Sequence, residues 1–482
     1  MDLDHDACYR AISLRDARFD GRFFTAVRTT GVYCRPVCPA RTPRSENVTF
    51  FPSAAAAQEA GFHPCLRCRP ETAPDLGAWR GTSNTVSRAL ALIELGALDG
   101  ADVDALASRL GVGERQLRRL FRQHLGASPI AVAQTRRVLL AKQLIHETHL
   151  PMGEIAFAAG FSSIRRYNET FLALFGRPPG ALRRTLGPDV SAGPRGEIVL
   201  RLPYQPPYDW PAMLDFLRRR AIAGIEVVTA GRYARTVQLD GVKGTVAVER
   251  GRGSSLRATV RFSKLSALPT IIARLRRVFD LAADPVAIGA HLRKDPALAS
   301  LVSARPGLRV PGAWDGFELA TRAVLGQQIT VSAAVRLAER LVATYGGRLE
   351  EPDSDLTHVF PTPDRLAKGD LTSLGIPRSR AATLSAVASA AMGDALLFDP
   401  TCDLDDAVRR LRSIRGIGEW TAQYIALRQL HDPDAFPAAD VGLLRAMSHH
   451  EGRDHSASEL LDRASTWRPW RAYAAQHLWA SA

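Results

Sequence analysis

Four cysteines near the amino terminus have the type and spacing to do chemistry together. Cys34 and Cys38 form a C-x3-C pair, Cys65 and Cys68 a C-x2-C pair, and 26 residues separate the two pairs. That is the spacing of two knuckles closing on one zinc ion. An all-thiolate site of this kind carries a formal charge of about −2, and its sulfurs stay ionised at neutral pH, so they are potential nucleophiles as well as ligands. Taken alone, the cysteines support a purely structural zinc knuckle better than a reactive one. Disulfides fit less well, because the chain opens on an acidic stretch, Asp2 to Asp6, without the basic-then-apolar layout of a secretory signal. Arg22, Arg28, Arg35, Arg41, Arg44, Arg67 and Arg69 crowd the region. Cys8 and Cys402 lack partner spacing and read as small apolar packing residues.

A second candidate site lies near the carboxyl terminus. Ile414, Arg415, Gly416, Ile417 and Gly418 read as a glycine-rich hairpin between two helices, where a tight turn exposes N–H groups as a phosphate cradle. Glu419 and Trp420 follow, and Asp440 stands 22 residues after Gly418. A G-x-G alone could equally be a packing turn, and a lone aspartate a helix cap.

The elements between these sites are helical first, then mixed. Val103–Val112 has an apolar i, i+3, i+4, i+7 pattern ending at a glycine, and a helix with Leu117, Leu120 and Phe121 inward follows from about Glu114. Arg115, Arg118, Arg119 and Arg122 are left on or beside its exposed face. The plan recurs at Met152–Phe161 and again from Ser162, a candidate N-cap, through Arg165 and Arg166 to Phe175. Helix, glycine turn and basic helix form the helix-turn-helix plan, whose second helix reads the major groove. Residues 80–188 hold a surplus of seven positive charges, half of the chain's net +14. So basic a chain meets polyanions, nucleic acid before membrane, and no apolar run approaches the roughly 18 residues of a membrane span. Residues 187–197, rich in Gly, Pro and Ser, read as a linker. Alternating strands near 197–202, 225–228, 234–239, 245–250 and 256–262 follow, interrupted by helices at about 211–222 and 268–280. From about Trp314 the pattern is helical to the end.

Thr29, Thr30, Gly31, Val32 and Tyr33 run into Cys34, and with Gly61–Cys68 they resemble the amino-terminal domain of Ada-type adaptive-response proteins over residues 5 to 75. The resemblance implies that Cys34, Cys38, Cys65 and Cys68 hold one zinc, and that Cys34 accepts a methyl group from a DNA methylphosphotriester. The paired helix-turn-helix pattern, ending in Phe175, Gly176, Arg177 and Pro178, resembles the AraC-type DNA-binding domain. The hairpin and Asp440 resemble the helix-hairpin-helix glycosylase superfamily. Gln205–Trp210, Arg305–Gly312, Val324–Gln328 and Trp467–Tyr473 narrow this to the AlkA-like 3-methyladenine DNA glycosylase II type over 198–482. That likeness implies Asp440 as the catalytic carboxylate and Phe216, Trp420, Tyr424 and Trp479 as base-pocket aromatics. It also implies that Gln328 is the minor-groove wedge, with Gly416 and Gly418 holding the DNA backbone. Gln328 and Val441 depart from the family's best-known member, which is apolar at the first position and aromatic at the second. Strand-cleaving members of the superfamily carry a lysine just after the hairpin, where this chain has Trp420, so simple hydrolysis is expected.

The sequence therefore predicts a multidomain chain, mainly α with α+β parts. It comprises a four-cysteine zinc domain (1–78), an AraC-type double helix-turn-helix domain (79–186) and, after the linker, a small antiparallel-sheet α+β domain (198–310). An all-α helix-hairpin-helix glycosylase domain (311–482) completes it. The expected function is an adaptive response to DNA alkylation: methyl acceptance coupled to transcription activation, with hydrolytic excision of N3- or N7-alkylated purines. The alternative is a regulator whose glycosylase half only binds DNA. Expected partners are double-stranded DNA and RNA polymerase, with no membrane, and the expected state is a monomer in the bacterial cytoplasm, at the nucleoid.

Overall fold

The computed structural model describes residues 3–74, 84–185, 197–353, 355–399 and 402–481. The predicted boundary at 78/79 and linker residues 187–196 lie outside the described residues. The chain divides into two compact units, Met1–Gln205 with Gly251–Ala273, and Pro206–Arg250 with Arg274–Ala482.

In the first unit, strands β1 (Phe24–Val27), β2 (Val32–Cys34), β3 (Val48–Phe51) and β4 (His63–Pro64) form a sheet in the order β3-β1-β2-β4. Phe24, Ala26, Tyr33 and Ala57 make its small core. The helical part follows the predicted plan. The first short scanning helix spans Val103–Arg109, capped by the Asp102 side chain on Ala105 N, and its basic partner spans Glu114–Leu125. A 19-residue helix, Pro129–Glu147, leads to the second pair, Met152–Ala158 and Ile164–Phe175. The N-cap of the last helix is Ser163, whose hydroxyl accepts from Arg166 N, rather than Ser162. Strand β5 (Ile198–Pro203) pairs antiparallel with β9 (Ser255–Arg261).

Buried charges join the zinc-domain segment to the Pro129–Glu147 helix. The Lys142 ammonium, fully buried, donates to Glu71 Oε2 at 2.6 Å and to the carbonyl of Cys65 at 3.1 Å. Arg69 binds Glu71 at 3.1 Å and Glu147 at 2.9 Å, and Glu147 binds Arg201 of β5 at 3.0 Å. His146, with only 3% of its side chain exposed, stands 3.4 Å from Glu71.

In the second unit β6 (Glu226–Val228), β7 (Arg232–Leu239) and β8 (Val242–Arg250) pair antiparallel. A helix buried along nearly its whole length, Gly316–Leu325, carries Glu318 and Arg322 into a network with Arg235 and Glu226, each link 2.6 Å. The expectation of helix throughout from Trp314 is not met at β10 (Gly347–Asp353) and β11 (Leu356–Val359), an antiparallel pair. Pro352 there removes the amide N–H that a helix needs, and branched Thr357 and Val359 favour extended backbone.

Candidate active sites and DNA-binding surface

The zinc cluster is assembled by strand register. β2 and β4 run parallel with Val32 opposite His63 and Tyr33 opposite Pro64. Cys34 is the next residue on β2 and Cys65 directly follows β4, so the two are set side by side. Cys65 N donates to Tyr33 O at 3.0 Å and Cys38 N to Arg35 O at 3.1 Å, closing the turn that brings Cys38 back. Arg35 N points at Cys68 Sγ, 3.4 Å away, a backbone donor suited to a thiolate. All four sulfurs lie within 4.8 Å of one another. Four sulfurs so close, with an amide donor and a largely buried setting, fit one tetrahedral zinc. Cys34 is 8% exposed, Cys65 8% and Cys68 6%, while Cys38 is more open. The Arg35 guanidinium beside them is held by Asp20 and Thr72.

The predicted DNA-reading arginines Arg115, Arg118, Arg119, Arg165 and Arg166 are all exposed on their two helices. Arg118 pairs with Glu114 at 2.5 Å and Arg165 with Glu169 at 2.8 Å, solvent-screened surface pairs that hold the side chains weakly. Arg122 is engaged instead with Glu59 of the zinc-domain segment at 2.5 Å.

In the second unit the hairpin joins helices Leu404–Arg412 and Glu419–Ile425. Gly416 has φ +91°, and a Cβ there would lie 2.0 Å from Thr383 Oγ1, so only glycine fits. Gly418 begins the second helix with open space around it. The Gln327 amide ties this turn to the preceding loop, donating to Gly416 O at 3.1 Å and Thr421 Oγ1 at 3.2 Å. The neighbouring Gln328 is exposed with φ +56°, in the left-handed region.

Asp440 is the N-cap of the Val441–Glu451 helix, its Oδ1 accepting from Leu443 N at 3.1 Å. A helix N-terminus favours a carboxylate. Two indoles complete its shell: Trp479 Nε1 donates to Oδ1 at 2.9 Å and Trp420 Nε1 to Oδ2 at 2.7 Å. Trp420 stacks on Tyr424 with centroids 5.4 Å apart, and Tyr424 meets Trp479 edge-on at 6.4 Å. Phe216, Trp420, Tyr424 and Trp479 are all half-buried. The sequence reading assigned Trp420 and Trp479 to base stacking alone; they also orient the carboxylate.

That reading missed Arg428 and Arg220. Arg428 is buried with its guanidinium carbon 4.6 Å from the Phe216 ring centroid, 5.1 Å from Trp479 and 5.6 Å from Tyr424; Arg220 lies 4.0 Å over Phe216. A spacing of four from 420 to 424 to 428, and from 216 to 220, was the signal, although Arg220 stands just past the helix that ends at Arg218 and Arg428 lies in a widened turn. The helix does widen into a π segment over Ala426–Leu430, a shape common at functional sites.

Four family models match the chain: the metal binding domain of Ada at 7–71, a helix-turn-helix domain at 106–185, the AlkA N-terminal domain at 199–315, and the HhH-GPD superfamily base excision DNA repair protein at 321–472. A probable bifunctional transcriptional activator/DNA repair enzyme AlkA of Mycobacterium tuberculosis is 43% identical over 100% of this chain and 97% of its own length. DNA-3-methyladenine glycosylase 2 of Escherichia coli is 35% identical over 58% of this chain and 95% of that protein. A 3-methyladenine DNA-glycosylase from Archaeoglobus fulgidus shares the fold of 58% of the chain, with a TM-score of 0.53, 22% identity and 97% of that chain covered. With an Ada zinc domain holding one zinc, a helix-turn-helix region and a glycosylase domain in a single polypeptide, the chain belongs to the family of bifunctional transcriptional activator/DNA repair enzymes.

Proposed function

We propose that the second unit is a monofunctional DNA glycosylase that hydrolyses the glycosidic bond of N3- or N7-alkylated purines. The observation that carries this is the Asp440 carboxylate fixed by Trp420 and Trp479 beside the half-buried aromatic cluster of Trp420, Tyr424 and Trp479. An alkylated purine is cationic and already a good leaving group; a flipped base stacks against these aromatic faces, and Asp440 faces the cation that develops on the sugar. Water adds to the sugar carbon as the base departs with the bonding pair, and Asp440 orients that water and takes its proton. Trp420 occupies the position after the hairpin, so no amine is there to form a Schiff base. The turn at Gly416 and Gly418 holds DNA phosphates, and Gln328 stands in the gap left by the base.

In the zinc domain the reading is methyl acceptance at Cys34. Bound zinc keeps the four sulfurs as thiolates. The Cys34 sulfur pair forms a bond to the methyl carbon of a methylphosphotriester, the methyl–oxygen bond breaks, and its electrons remain on a phosphodiester anion. The site's formal charge rises by one, which eases approach to DNA within the ~8 Å screening length. Paired helix-turn-helix units carrying Arg115, Arg118, Arg119, Arg165 and Arg166 then hold promoter DNA for RNA polymerase. The setting is the bacterial cytoplasm, at the nucleoid, and the working form a monomer.

Base release from methylated DNA by the wild type beside Asp440→Asn tests the first reading. Mass spectrometry of the zinc-domain peptides after exposure to methylated DNA tests the second: a methyl mass on any cysteine but Cys34, or on none, refutes it.

A further inference from the structure

The aromatic box beside Asp440 already contains positive charge. Arg428 sits among Phe216, Tyr424 and Trp479, fixed by its own donors to Pro311 O at 3.0 Å and Gln476 Oε1 at 3.1 Å. Arg220 covers Phe216 from 4.0 Å, and its backbone carbonyl is pinned by Arg322 at 2.7 Å. The ring faces that would hold a cation by cation–π attraction are thus partly engaged by guanidiniums. Burial lowers Arg428 only to about 10, so it is charged at neutral pH. Burial pushes the Tyr424 phenol up, yet the Arg428 and Arg220 charges beside it hold it below its ordinary value. The nearby Asp440 carboxylate has its oxygens occupied by two indoles and a helix N–H.

We propose that Arg220, backed by Arg428, is a specificity-determining residue of the base pocket that penalises a positively charged base and favours a neutral purine presenting lone pairs. The inference rests on the glycosylase reading above and adds to its substrate class. Two like charges a few ångström apart in a half-buried site repel far more than in water. Arg220 Nη1 donates to the Phe216 carbonyl at 3.4 Å, and the guanidinium's further N–H donors are suited to acceptors such as the O6 and N7 of a 6-oxopurine. Release of a cationic base then relies on the weakness of its own glycosidic bond. A neutral base, whose bond is strong, gains more from the arginines.

The test is single-turnover release of hypoxanthine and of 3-methyladenine from DNA by the full chain, as wild type, Arg220→Met and Arg220→Lys. Arg220→Met is expected to lower the hypoxanthine-to-3-methyladenine rate ratio by about tenfold or more, and Arg220→Lys, which keeps the charge, by less. Because both rates come from one preparation, a fraction of misfolded protein cancels. If Arg220→Met releases neither base, inhibition of the wild type decides: neutral 9-methylhypoxanthine must bind at least about tenfold more tightly than the cation 3,9-dimethyladeninium. A ratio moved by less than about twofold, or tighter binding of the cation, overturns the inference and leaves the glycosylase reading standing. Release of neither base by the wild type overturns both.

Discussion

Replacing Asp440 by asparagine is often regarded as a change of charge alone, but here it also disturbs hydrogen bonding. The carboxylate accepts three bonds, from Leu443 N and Trp479 Nε1 on one oxygen and from Trp420 Nε1 on the other, 2.7 Å away. An asparagine that keeps its oxygen toward Leu443 and Trp479 places an NH2 against the Trp420 N–H; flipped, it turns the NH2 on the other two donors. Either way at least one donor faces another. The cost is about 1–3 kcal/mol of local stability, with Trp420 displaced from its stack on Tyr424. Loss of the charge facing the sugar cation removes a further electrostatic stabiliser of the transition state, roughly 10²–10³ in rate or about 3–4 kcal/mol. Single-turnover release of 3-methyladenine should therefore fall by at least that factor, with altered tryptophan fluorescence. Affinity for abasic DNA should survive through the untouched hairpin. Trp420→Phe, which keeps the ring and removes the donor, should lower the rate by a smaller factor. Near-wild-type release by Asp440→Asn would sink the mechanism, and so would a borohydride-trapped enzyme–DNA adduct with the wild type.

Chelation of zinc should abolish hydrogen-exchange protection across residues 24–68, because small metal domains draw on the order of 10 kcal/mol of folding free energy from the ion; retained protection would show the cluster is dispensable. Lys142→Met should lower the urea midpoint for zinc release by the equivalent of about 1–3 kcal/mol, since it leaves the buried Glu71 carboxylate short of one donor with Arg69 still beside it, and Lys142→Met with Glu71→Leu should recover much of the loss; no recovery refutes the pairing. Burial pushes His146 down to about 4 from 6.5, so between those pH values the unfolded chain binds a proton that the folded chain does not. Burial would raise Glu71, but Lys142, Arg69 and His146 outweigh it and hold it low, so its contribution is present above the ordinary carboxylate range and lost only as pH falls through its depressed folded value. The zinc-release midpoint should therefore fall as pH drops from 6.5 to 4, by up to about 3 kcal/mol for His146, and His146→Gln should flatten that limb; an unchanged slope refutes it. Alanine at Arg118, Arg119, Arg165 and Arg166 together should reduce the log–log salt slope of promoter binding by about 1 for each arginine that neutralises a phosphate, and an unchanged slope would misplace the DNA-reading faces.

What was legible in the sequence was local. Cysteine spacing, two glycine-stopped helix pairs and a glycine hairpin each fix a short stretch of backbone, and the chain folds there as read. The Ser163 cap differs by one position because either serine can offer a hydroxyl to an amide three residues on. What stayed hidden was pairing between distant residues. Nothing in Val32–Cys34 announces a parallel partner some 30 residues away, although that register seats Cys34 beside Cys65. Glu71 and Lys142 are 71 positions apart, and each alone reads as a solvated charge. Arg428 was legible by spacing but overlooked, because an arginine among aromatics was not expected where a cationic base was meant to bind.

The Glu71–Lys142 contact bears on how such a polypeptide can be cut or recombined. A gene fragment ending after the fourth cysteine and its short 3-10 turn would encode every zinc ligand yet leave Glu71 without the ammonium that neutralises it, and Cys65 without the donor on its carbonyl. The transferable module therefore ends beyond Glu147, two helix-turn-helix elements' worth of sequence being interrupted midway by the helix it needs. Grafts of this zinc domain onto other proteins should keep that helix, or replace Glu71 with an apolar residue at the same time.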